Sequence, residues 1–183
     1  MDLRIEKVSK NKRKKEIKKI YTFSFLKEDR MPFEMMLMMS HLWHTDFLSF
    51  YDGDTLCGFI YMATIKKITF VMFFAVAENL RSKGYGSNIL NHIESMYPKN
   101  KIILTIELCD KEAKDINQRI RRKRFYMKNG YIETGYFVKL GKKQEILIKN
   151  GEFDKREFTR FFMLYSNFTM KPKVWKSVAK SEN

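Results

Sequence analysis

The run Phe70–Ser87, FVMFFAVAENLRSKGYGS, decides the fold. Its first seven residues, ending at Val76, are apolar, aromatic or β-branched, and of the length of a buried strand. Glu78 to Gly86 then shows no apolar periodicity and contains Arg81, Ser82, Lys83, Gly84, Tyr85 and Gly86. From Ser87 to Tyr97 the apolar residues Ile89, Leu90, Ile93, Met96 and Tyr97 share one helical face, and Pro98 ends the helix. A buried strand, a glycine-bearing loop and a helix N-terminus in that order make an anion site. The glycines let the backbone curl toward a ligand, several N–H groups point one way, and the helix end adds about half a positive charge.

Two familiar phosphate loops fit this run poorly. A Walker loop needs GxxxxGK followed by Ser or Thr, and Gly84-Tyr85-Gly86 has neither the spacing nor the lysine position. A dinucleotide-binding loop would use the same glycines with Glu107 about 20 residues on. Its third glycine position is Ile89, however, and seven residues separate Val76 from Gly84 where that fold puts its glycines in the strand's own turn.

Working outward, Leu3–Val8 reads as a short strand and about Asn11–Leu26 as a helix carrying Ile17, Ile20 and Tyr21. Pro32 punctuates the chain before a methionine-rich helix, Phe33–Leu42. Phe47–Tyr51, Cys57–Thr64 and Ile68–Val76 are three antiparallel strands, the first two joined by the Asp52-Gly53-Asp54 turn. Lys101–Leu108 is a fifth strand, Ile116–Lys128 a helix closed by Asn129-Gly130, and Tyr131–Leu140 and Glu145–Lys149 two final strands. This order predicts one α/β or α+β domain with a mixed central sheet of about seven strands and helices on both faces. The domain spans 1–157, and the aromatic, then basic, tail 158–183 carries no assignment.

Composition bounds the rest. A chain of 183 residues with 44% hydrophobic and 15% aromatic residues can bury one substantial core. No apolar run reaches the roughly 18 to 20 residues of a membrane span. The basic N-terminus lacks the apolar segment of a secretory signal, and Cys57 and Cys109 form no framework, so a cytoplasmic location is expected. The net charge of +15 is gathered in three segments: Lys10–Lys19 (+6), Arg119–Arg124 (+5) and Lys171–Lys180 (+4). Such clusters attract nucleic acid, an acidic membrane or a phosphorylated cofactor, or are simply a solvated lysine-rich surface.

Arg81-x-x-Gly84-x-Gly86, five residues after Val76, resembles the acetyl-CoA motif of the GCN5-related N-acetyltransferase (GNAT) superfamily. Phe125-Tyr126-Met127-Lys128-Asn129-Gly130-Tyr131 resembles its FYxxxGF segment, and Thr134-Gly135-Tyr136 its usual continuation. The two motifs and the strand between them cover about Thr55–Lys149. Ala77-Glu78 stands where the family often has Pro before the acidic residue. Arg119 stands where an Asn is common, with Asn117 two residues earlier.

The resemblance implies an acetyl-CoA-dependent N-acetyltransferase that passes an acetyl group directly to a primary amine, on a small molecule or on a peptide or protein. It implies that the backbone of Phe74, Ala75 and Val76 meets the pantetheine and thioester, and that Arg81, Ser82, Lys83, Gly84, Tyr85, Gly86 and Ser87 hold the pyrophosphate. Tyr126 would protonate the departing thiolate. Glu107 would be the general base, with Glu78 and Asp110 as rivals, although many acetyl transfers need no dedicated base. Glu34, Asp46 and Glu107 are the carboxylates that could attract a cationic acceptor.

The other constellations are weaker. His41 and His44 flank Leu42-Trp43 without a third metal ligand nearby, and no metal is expected. Met35, Met36, Met38 and Met39 could line an adaptable pocket or pack in the core. Arg119–Arg124 could reach a 3′-phosphate or form a wet helix face. Two rival functions remain: a basic nucleic-acid-binding module, opposed by the absence of an RRM, KH or helix-turn-helix signature, and a cofactor-binding GNAT fold without catalysis. The sequence leaves the oligomeric state open.

Overall fold

The computed structural model describes residues 2–42 and 44–176. Its strands are β1 (Arg4–Lys7), β2 (Thr45–Asp52), β3 (Thr55–Ile65), β4 (Ile68–Val76), β5 (Lys101–Glu107), β6 (Ile132–Leu140), β7 (Lys142–Lys149) and β8 (Lys173–Lys176). Its helices are α1 (Lys14–Ser24), α2 (Phe33–Met39), α3 (Tyr85–Met96), α4 (Ile116–Lys128) and α5 (Lys155–Tyr165). The class is α/β, as the order of apolar runs predicts. Eight strands are present among the described residues rather than about seven, because residues 173–176 of the basic tail pair with β6. The point 157/158, where the sequence reading begins its tail, falls inside α5. Trp43 and the last part of the Lys171–Lys180 segment lie outside the described residues.

The chain divides into two compact units: Met1–Thr64 with Thr69–Pro98, and Ile65–Ile68 with Lys99–Asn183. In the first, β1 pairs antiparallel with β2, and β2 with β3 through the Gly53-Asp54 turn. Its core gathers Val8, Ile17, Tyr21, Phe33, Met36, Phe47, Tyr51, Phe59 and Tyr61. Tyr21 meets Phe59 and Phe73 edge-on at 5.9 and 5.2 Å, and Phe47 meets Tyr61 edge-on at 5.4 Å. Such aromatic pairs add about 0.5–1.5 kcal/mol each to the burial of their area.

α1 starts at Lys14 rather than near Asn11, and Asn11 explains why. It is buried, and its amide donates to Tyr51 Oη at 2.7 Å, Ser49 Oγ at 3.1 Å and Glu6 Oε2 at 2.8 Å. Its Oδ1 meanwhile accepts from the Arg13 amide at 2.6 Å. A side chain so committed belongs to a turn, not a helix interior. α2 closes at Met39, short of Leu42, and of the methionines Met36 is buried while Met35 and Met38 are exposed.

In the second unit β5 pairs with β7, β7 with β6 and β6 with β8, all antiparallel. The β6–β7 register breaks between Glu133 and Phe137, where Thr134 Oγ1 donates to the Ile146 carbonyl at 2.9 Å and accepts from the Tyr136 amide at 3.0 Å. Gly135 takes φ +71° there. The Thr-Gly-Tyr triplet is thus a bulge. Asp154 caps α5 by accepting from the Arg156 and Glu157 amides at 2.7 and 2.8 Å, and these bonds hold its carboxyl below its ordinary value.

Candidate active site

β4 is buried over its first four residues, half-buried at Met72, Phe73 and Phe74, buried again at Ala75 and half-buried at Val76. Gly58 on β3 sits directly against this end. A Cβ on Gly58 would lie 2.4 Å from the Ala75 carbonyl oxygen, a separation no side chain tolerates. The Ala77 amide then donates to the Cys57 carbonyl at 2.8 Å. Glycine at position 58 therefore lets the backbone of Ala75 and Val76 press against β3, and the sequence reading missed this residue because only the pairing of the two strands exposes its role.

Beyond Ala77 the chain makes a 3-10 turn over Glu78–Leu80, and Leu80 and Arg81 donate back to the carbonyls of Ala77 and Glu78. Ser82 and Gly84 both adopt left-handed backbone, φ +62° and +87°. Gly84 is the N-cap of α3, and no side chain caps the helix. α3 begins at Tyr85, two residues before the Ser87 start read from the apolar pattern, so Tyr85 and Gly86 are part of its first turn. The Gly84 carbonyl accepts from both the amide and the side chain of Asn88, at 3.1 Å each. The amides of Tyr85, Gly86 and Ser87 lie in the first turn, where a helix offers them no acceptor of its own.

Two further contacts hold the loop. Tyr85 Oη donates to Asp52 Oδ2 at 2.7 Å, and this bond to a carboxylate raises the phenol above its ordinary value. Arg81 Nη2 reaches Ser24 Oγ at 3.5 Å. Arg81 and Lys83 are exposed. Left-handed glycine, free first-turn amides and two cations are an arrangement that could hold an anionic group such as a diphosphate, and Phe74–Val76 lies immediately before it in the same unit. An open pocket of about 510 Å³ in that unit is lined by Arg13, Glu16, Lys19, Ile20 and Leu56 among others and reaches Ala77, where the loop begins.

The second unit holds Tyr126 and Glu107. The Tyr131 amide donates to the Tyr126 carbonyl at 3.2 Å and the Gly130 amide to that of Met127 at 3.0 Å, with Gly130 at φ +83°. The rings of Tyr126 and Tyr131 meet edge-on at 5.6 Å. This is a Schellman closure with its apolar contact, and it accounts for the spacing Tyr-x-x-x-Gly-Tyr. Tyr126 is buried, and burial pushes its hydroxyl up to about 12, partly opposed by the nearby Arg122 guanidinium.

Arg122 also donates from Nη1 to Glu107 Oε2. The other candidate carboxylates are likewise engaged: Glu34 with Lys18 Nζ at 2.5 Å, and Asp46 with Tyr97 Oη at 2.5 Å. Asp110 Oδ1 accepts from the Glu112 amide at 3.1 Å. Arg119, at the family's asparagine position, is bound to Asp115 and to the Leu108 carbonyl at 2.8 and 3.0 Å. Among the described residues no cluster of three or more His, Cys, Asp or Glu could hold a metal. No helix among them is long and apolar enough to cross a membrane.

Comparison with known proteins adds the family. A GNAT acetyltransferase domain model matches residues 43–133. No curated protein sequence matches significantly. Among solved structures, a GNAT-family putative acetyltransferase from Bacteroides thetaiotaomicron is similar at TM-score 0.72 and 21% identity, over 93% of this chain and all of that one. An aminoglycoside 6′-N-acetyltransferase complexed with coenzyme A is similar at 0.64 and 14%, over 81% of this chain and 96% of its own. The PaiA N-acetyltransferase of Thermoplasma acidophilum, also with coenzyme A, is similar at 0.57 and 18%, over 81% and 99%. At these identities the structural likeness speaks for the fold, and the domain match over the glycine loop and the Tyr126 helix speaks for the chemistry: the chain is an acetyltransferase belonging to the GNAT superfamily.

Proposed function

We propose that this acetyltransferase takes its acetyl group from acetyl-CoA and transfers it directly to a primary amine. The observation that carries the reading is the uncapped N-terminus of α3 behind left-handed Gly84, flanked by Arg81 and Lys83. The donor's pyrophosphate would take hydrogen bonds from the backbone of residues 81–87, and the exposed guanidinium and ammonium would add charge that no amide supplies.

The backbone of Phe74, Ala75 and Val76 would hold the pantetheine arm and polarise the thioester carbonyl. The amine nitrogen attacks that carbon, the new C–N bond forms, and the C–S bond breaks. Tyr126 gives its hydroxyl proton to the departing thiolate. Its burial keeps the proton in place throughout the neutral range. The proton lost by the amine passes to Glu107 or to solvent. For Glu107 to act, Arg122 must share or release the carboxylate it holds.

The first test is a thermal melt with acetyl-CoA at low and high salt. At 100 times its dissociation constant a ligand stabilises by about 2.7 kcal/mol, a rise of roughly 5–10 °C for a chain of this size. Tyr126→Phe should keep that rise and lower kcat about 100-fold or more in an amine acceptor screen. No rise at saturating acetyl-CoA sinks the reading. A rise with unchanged kcat in Tyr126→Phe removes the acid role alone.

A further inference from the structure

The C-terminal end of α5 and the turn after it lie outside the segment that matches the acetyltransferase domain. α5 buries Phe158, Phe161 and Phe162. Its opposite face, by helical spacing, carries Arg156, Arg160 and, one turn on, Leu164. Arg156 and Arg160 are exposed, and none of the salt bridges among the described residues involves either of them or Lys171. Glu157, the acid of the first turn, is already bound by Lys101 at 2.7 Å.

The turn beyond the helix is built to project apolar groups. Asn167 and Phe168 both take left-handed backbone, φ +50° and +65°, and the Phe168 amide donates to the Met163 carbonyl at 2.6 Å. Ser166 Oγ donates to the Phe162 carbonyl at 2.7 Å and accepts from the Met170 amide at 2.8 Å. An aromatic residue in this conformation is strained, and strain of that kind collects where a segment is used. The strained ring is not tucked away: Phe168 is 66% exposed, Met170 46% and Leu164 38%.

We propose that this face of α5, with the turn that follows it, is a docking surface for an anionic phospholipid bilayer. Phe168, Leu164 and Met170 enter the headgroup boundary while Arg156, Arg160 and Lys171 meet the lipid phosphates. The composition favours lipid over other polyanions, because Leu164 and Met170 gain area in an acyl layer and nothing by stacking on a nucleobase. It also opposes a two-fold contact between copies of the chain through this face, which would bring two positively charged faces together. None of these residues belongs to the glycine loop, so the proposal stands whether or not acetyl-CoA binds.

The test is flotation of the full chain with vesicles of phosphatidylcholine alone and of phosphatidylcholine mixed with phosphatidylglycerol, at low and high salt. The chain is expected on the acidic vesicles only, released by salt. Arg156→Gln with Arg160→Gln should weaken binding about tenfold or more, and Phe168→Ser and Leu164→Ser should each weaken it about fivefold at unchanged melting temperature. Absence from acidic vesicles overturns the proposal. So does binding indifferent to the Phe168 and Leu164 substitutions, which would place the contact at Lys10–Lys19 instead. Retention of single-stranded RNA that Phe168→Ser abolishes, without vesicle binding, would assign the surface to nucleic acid.

Discussion

At position 58 one hydrogen atom stands where any other residue would force β3 away from β4, since the Ala75 oxygen is 2.4 Å from the missing Cβ. Gly58→Ala is therefore expected to cost about 2–3 kcal/mol in chemical denaturation, the range of overpacking a filled site. Because the yielding atoms belong to Ala75 and Val76, the same change should weaken the melt shift with acetyl-CoA. Unaltered stability would show that the two strands separate freely. The helix closure beside Tyr126 was legible in the sequence at this scale, since its six residues, glycine and aromatic partner included, are contiguous. The ion pair of Glu107 with Arg122 was not, because it depends on how a helix fifteen residues downstream lies on the strand.

Among the elements, α4 departs furthest from its appearance. Its arginine run suggests a solvated face or a phosphate contact, and its boundaries, Ile116–Lys128, agree with the sequence reading. Yet Arg119, Arg122 and Lys123 turn toward neighbouring backbone and carboxylates, and Lys123 Nζ binds both oxygens of buried Glu145 at 3.0 and 2.9 Å and also Glu133. Burial raises Glu145 above the ordinary carboxylate value, while the Lys123 bond lowers Glu133. Lys123→Met would leave the Glu145 charge buried without its cation, at a cost of about 3 kcal/mol at neutral pH. The sign follows from linkage. The folded Glu145 value is raised further in the variant, so the penalty is full at neutral and higher pH and shrinks as acid protonates the carboxyl. Urea midpoints of the two proteins measured from pH 5 to 8 should thus converge toward the acid end, and a constant gap would refute the account. Glu145→Gln in the same chain should restore most of the loss. Helix periodicity could not reveal this, because charged residues at core-facing spacing read as solvent-facing until their partners are placed.

For the molecule as a whole, Tyr21 and Tyr126, both buried, and the half-buried Tyr97 set the response to alkali. Burial pushes Tyr21, Tyr97 and Tyr126 each up to about 12, with a bond to Asp46 adding to the rise at Tyr97. A folded value above that of the unfolded chain, about 10, leaves stability untouched below pH 10 and removes it as the pH climbs from about 10 to about 12. Denaturant midpoints should be level from pH 8 to 10 and fall steeply beyond; a flat profile to pH 12 would mean these hydroxyls ionise without cost. At this scale the strand–loop–helix run was enough to order the elements, while β8 escaped because four residues within a lysine-rich tail carry too little alternation to announce a strand. That strand pairs with β6, and β1 pairs with β2. β1 and β8 are each four residues long, Arg-Ile-Glu-Lys and Lys-Val-Trp-Lys, and begin and end on a cation. A second chain adding a strand to either would gain few backbone bonds and would bring positive side chains alongside its own, so these two short strands resist fibre growth and favour dispersal in concentrated solution.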